Sequence, residues 1–124
     1  MEKPGTFYTR ETANQLLDEV RERLVRLRQA YAEIAEHRAS MASAASGNGG
    51  DAGAPRWLAS SRTAADELSW FVDREIVVRD IEQGLIDFPG RREGREIYLC
   101  WRLGEEAVDF WHDKDTGFPG RQPL

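Results

Sequence analysis

Residues 84–124 read GLIDFPGRREGREIYLCWRLGEEAVDFWHDKDTGFPGRQPL, and their two-residue alternation decides the class of fold. Residues 95–103 place Ile97, Leu99, Trp101 and Leu103 on one face and Tyr98, Cys100 and Arg102 on the other, the signature of a half-buried strand. Before it, the short apolar run 85–88 closes on Pro89-Gly90, and residues 91–94 supply a hairpin connection. After it, Gly104-Glu105-Glu106 turns the chain and 108–112 makes a third strand. The stretch 84–112 is therefore expected to form a three-stranded antiparallel meander. Residues 113–124 hold Gly117, Pro119, Gly120 and Pro123, too many breakers for regular structure, so an irregular tail pinned by Phe118 is expected.

Upstream the period changes to that of a helix. Ala13, Leu17, Val20, Leu24, Leu27, Tyr31 and Ile34 recur in steps of three and four, with Thr9 as N-cap and Glu11 in the first turn. The spacing predicts a helix over 9–40, running ~43 Å from residue 10 to residue 38 at 1.5 Å per residue. Residues 41–56 are small and glycine-rich, without a bulky apolar group until the helix that follows, and read as a flexible Gly/Ser/Ala loop. A second helix is expected over 57–83, capped by Ser60 or Ser61 and stopped by Gly84, with Leu68, Phe71, Val72 and Ile76 as its stripe, widened by Trp70, Val77, Val78 and Ile81. The whole reads as one α+β domain, 1–124, a long antiparallel helical hairpin packed on the small β-meander.

Composition removes several classes of function. With 124 residues and a net charge of −5, the chain can bury a core and has no general attraction for nucleic acid or an anionic membrane. No run approaches the ~18 apolar residues of a membrane span, and the first eight residues lack the apolar segment of a signal peptide, so a cytoplasmic address is expected. One cysteine, Cys100, cannot form an internal disulfide. Lying inside an apolar strand, it reads as a small buried hydrophobe.

The segments FYTRETANQLL, GLIDFPGRREGREIYLCWRLGE, FWHD and GFPGRQPL together resemble the bacterial family catalogued as domain of unknown function 2203. The likeness covers most of the chain outside the glycine-rich loop. It implies kinship and no particular activity.

Polar residues set among aromatics mark the candidate site: Asp87, Trp101, Arg102, Glu105, Asp109, Trp111, His112 and Arg121. If Asp87 shares a face with Arg102, two carboxylates could bracket that guanidinium, either as a register-fixing ion-pair network or as a small pocket for a carboxylate or phosphate. A metal-assisted alternative draws on His112, Asp113 and Asp115, but paired-histidine and paired-cysteine spacings are missing, so no metal and no cofactor is expected. No catalytic residue can be assigned. The leading expectation is a non-catalytic interaction module, self-associating as a homodimer through Leu17, Val20, Leu24, Leu27, Tyr31 and Ile34, because so small a sheet cannot cover so long a seam. The alternative is a small-ligand or metal-assisted enzyme built on Asp87, Arg102, Glu105 and His112.

Overall fold

The computed structural model describes residues 6–44 and 54–124. Helix α1 (Arg10–Gln15) opens on Thr9, whose side chain accepts from the Thr12 backbone N–H while Thr12 answers with its own hydroxyl, a reciprocal capping box. After a one-residue break at Leu16 the chain continues as α2 (Leu17–Ala44), and α3 (Ala54–Asp73) packs against it. Five strands follow: β1 (Val77–Asp80), β2 (Leu85–Arg92), β3 (Arg95–Arg102), β4 (Phe110–Asp113) and β5 (Gln122–Pro123), antiparallel and in sequential spatial order. The architecture is α+β, three helices against a five-stranded sheet. Among the described residues no helix is long and apolar enough to cross a membrane.

The three-stranded meander expected over 84–112 is the centre of a five-stranded sheet, flanked by β1 and β5, and other expectations need correction too. The second helix stops at Asp73 rather than at residue 83, because Glu75 takes a left-handed conformation (φ 60°) and the Ile76 N–H returns to the Phe71 carbonyl. Val77 and Val78 then belong to β1, and Ile81 to the turn after it. That helix also begins before residue 57, so Ser60 and Ser61 lie within it. Buried Ser60 donates to Glu33 on α2 instead of capping. The tail is ordered, a 3-10 turn at Phe118–Gly120 leading into β5, with the Leu124 N–H donating to Asp109 O. Of the expected loop 41–56, residues 41–44 continue α2 and 54–56 open α3, while 45–53 lie outside the described residues.

The sheet has two unlike faces. Ile86 and Phe88 from β2, Ile97, Leu99 and Trp101 from β3, and Trp111 from β4 join Leu17, Val20, Leu24, Leu27 and Phe71 of the helices in one core. This answers the seam argument from within the chain: Leu17, Val20, Leu24 and Leu27 are at most 3% exposed and need no partner to cover them. Tyr31 remains exposed and Ile34 half-buried. Polar ties fix the helix pair. Buried Glu67 of α3 accepts from both Arg23 and Arg26 of α2, at 3.2 and 3.1 Å, so the acid carries partners into its low-dielectric site. Asn14 accepts from the Val108 N–H at 2.8 Å, holding the loop after β3 onto the start of the helices.

Candidate functional site

The opposite face of the sheet is where the chemistry collects. Strand register sets Asp87 directly across from Cys100, and Tyr98 across from His112, so the side chains of Asp87, Cys100 and His112 emerge on one face of three adjacent strands. All three are at most 2% exposed. Their ligand-type atoms, a carboxylate oxygen, the thiol sulfur and a ring nitrogen, lie within 4.8 Å of one another.

The hydrogen bonds define how each group is presented. His112 Nδ1 stands 2.7 Å from the Asp113 carbonyl oxygen, and Nε2 stands 2.9 Å from Asp87 Oδ1. A carbonyl only accepts, so Nδ1 carries a hydrogen and Nε2 turns toward the carboxylate. A lone pair facing a carboxylate oxygen at that distance is repulsive. A proton shared by the two groups, or a metal cation between them, must fill the gap. Asp87 Oδ2 accepts from Arg79 Nε at 2.8 Å, and that bond raises the already high pKa of Arg79. Burial, then the neighbouring Asp87 charge, push the Cys100 thiol up to about 12. Alone, this thiol is a protonated, inert group at neutral pH.

A cleft of about 320 Å³ reaches this floor, walled by Arg79, Leu85, Lys114, Asp115, Thr116 and Phe118, with Asp87 and His112 at its base. Its outer wall is the tail, which the sequence had consigned to irregular structure. Tyr98 flanks the cluster, its ring 5.7 Å from that of His112 and 5.0 Å from the Arg79 guanidinium.

The other sequence-predicted residues separate. Trp101 belongs to the helix-side core, its indole N–H donating to Glu105 O at 3.2 Å, and Trp111 is buried beneath the Arg92 guanidinium. Arg102 is not bracketed by carboxylates. It lies opposite Leu85, two residues along β3 from the Asp87 partner, is exposed, and contributes its backbone N–H to Glu105 Oε1. Glu105 pairs with Arg121, whose guanidinium also lies 3.9 Å from the Phe110 ring centroid and 4.6 Å from that of Phe118, fastening the tail. Asp109 pairs with Arg10 at the start of α1. Of the metal candidates, Asp113 turns to Arg95 on the helix side of the sheet, while Asp115 only lines the cleft. Arg79 and Cys100 are the two members that sequence reasoning missed. Arg79 sat in a segment read as helix, and Cys100, buried as expected, met its acid only through strand register.

Comparison with curated proteins and with solved structures returned no match. From residue 6 to residue 124 the chain matches the family described as uncharacterized conserved protein (DUF2203), and it belongs to that family.

Proposed function

We propose that this protein binds a divalent transition-metal ion, zinc foremost, through Asp87, Cys100 and His112, and uses it on a small molecule that enters the cleft. The observation that carries the reading is the confrontation of His112 Nε2 with Asp87 Oδ1 beside the Cys100 thiol. A carboxylate, a thiolate and an imidazole are the donor types zinc takes, at bond lengths of about 2.0–2.3 Å. Tetrahedral geometry at those lengths sets ligand atoms roughly 3.3–3.8 Å apart; the three donors lie within 4.8 Å of one another, and Nε2 and Oδ1, now at 2.9 Å, would part by a few tenths of an ångström to take the ion.

The surrounding groups support the same reading. Metal-bound histidines ordinarily donate their other ring N–H to a carbonyl or carboxylate, and His112 does so to Asp113. Arg79 occupies the second oxygen of Asp87 and steers the first toward His112. Three protein ligands leave a fourth position for water or a substrate atom, the arrangement of metal sites that act as Lewis acids. The cation would also favour the Cys100 thiolate, which the buried carboxylate otherwise opposes.

Cobalt substitution tests the reading directly. Titrating the metal-free protein with Co²⁺ should yield one equivalent bound, with a thiolate-to-cobalt charge-transfer band and visible bands of tetrahedral strength. C100S should lose the charge-transfer band while keeping the native circular dichroism spectrum, and H112A should lose tight binding. Folded protein that takes up no Co²⁺, or takes it up without the thiolate band, refutes the assignment.

A further inference from the structure

An apolar row runs along α3, exposed at its ends and centre and flanking the side that packs on the core. Val72 and Leu58 are the two most exposed large apolar side chains there, at 69% and 51%. They are fourteen positions apart, about 21 Å along the helix, and two heptads bring them back to the same face. Ala65, also exposed, sits midway. The row Leu58, Ser61, Ala65, Leu68, Val72 steps by three and four, large at its ends and small at its centre.

That pattern is close to symmetric about Ala65. We infer that α3 docks antiparallel on the α3 of a second copy of this chain, crossing at Ala65. A two-fold axis through Ala65 lays Leu58 of one copy on the second copy's Val72, and Ser61 on its Leu68. Alanine at the crossing lets the backbones approach, as helix pairs with small residues at the contact do. Beside the row runs a groove of about 470 Å³ between α3 and α2, lined by Ser61, Ala64, Leu68, Tyr31 and Ile34. The second copy's Leu68 enters it and covers Tyr31 and Ile34, the two seam residues that the sheet does not reach.

Charge fixes the same register. Arg62 and Asp66 are exposed on the other flank of the row, three residues before and one after the axis. The two-fold places each Arg62 beside the second copy's Asp66, giving two cross-copy pairs and no like-charge contact between these residues. A parallel pairing would turn this flank of one copy away from the same flank of the other and form neither pair. An isologous contact of this kind closes on itself as a dimer.

Sedimentation velocity over a concentration series, run on the full chain with metal chelated, tests this separately from the metal site. The expected particle has twice the chain mass. A65R, at an exposed position, should reduce it to the chain mass while leaving circular dichroism and Co²⁺ binding intact. R62D and D66R should each weaken the dimer at least tenfold, and the double reversal should restore it. Wild-type protein that stays at the chain mass, a dimer indifferent to A65R, or a double reversal without rescue each overturns the inference.

Discussion

The two faces of the sheet follow opposite physical rules, although the same strands build both. The helix side is dry and apolar: Ile86, Phe88, Ile97, Leu99 and Trp101 gain by leaving water, and any residues of fitting volume would serve. The far side buries Asp87 and His112 to the same depth. Desolvating such groups costs several kcal/mol unless each finds a partner, and even a satisfied network seldom stabilises more than well-packed hydrocarbon. On the function proposed above, the carboxylate, imidazole, thiol and guanidinium would be held together to bind an ion rather than to stabilise the fold. The contrast is what the proposed metal site rests on.

Removing an aromatic from the dry side should hurt most. Phe88→Ala is expected to cost about 3–5 kcal/mol in chemical denaturation, because the Tyr8 ring against it, at 5.2 Å, and the helices above cannot collapse into the space. The wet side should behave differently depending on how it is cut. Asp87→Asn alone strands His112 and the partly exposed Arg79, with an expected loss of about 2 kcal/mol in the metal-free protein. Replacing both Asp87 and His112 by leucine should leave metal-free stability within ~1 kcal/mol of wild type, or raise it, while abolishing Co²⁺ binding. A double variant that unfolds would make this face a structural network and remove the contrast.

The thiol gives a pH signature with a definite sign. Folding lifts the Cys100 thiol from 9.0 to about 12, so the protonated form is favoured in the native state. Between those limits the unfolded chain has released the proton while the folded chain retains it, so the unfolded state binds fewer protons and stability falls as pH rises. The expected loss in the metal-free protein is about 1.4 kcal/mol per pH unit between pH 9 and about 12, and it fades out below pH 9. Denaturation midpoints at neutral and alkaline pH should show the slope, and C100A should lack it. Iodoacetamide should leave Cys100 unmodified in the native protein at pH 8. Smallest of all is Arg10→Ala. Its pair with Asp109 is about half exposed on both sides, so a cost under ~0.5 kcal/mol that vanishes in high salt is expected, with Co²⁺ binding unchanged.

What was legible in the sequence follows from local periodicity. The three-and-four spacing located α1 and α2, and the alternation of residues 95–103 sorted β3 correctly between its faces, down to the burial of Cys100. β1 was illegible because Val77, Val78 and Ile81 fit a continuing helix as well as a strand, and the residue that ends the helix, Glu75 at φ 60°, is not a glycine. β5 was hidden for a related reason: a proline such as Pro123 argues against a strand everywhere except at a sheet edge, where this one lies.

By itself, then, the sequence determined which residues alternate, which face of each helix is apolar, and that acids, aromatics and a histidine crowd into the last third, since each of those is a property of neighbours along the chain. Only the tertiary structure decided that Arg79 rather than Arg102 holds Asp87, that the carboxylate meets Cys100 and His112, and that the Leu17-to-Leu27 seam is shielded from within. Those pairings depend on strand register and on where one helix stops, and both are settled by the packing of distant segments against each other.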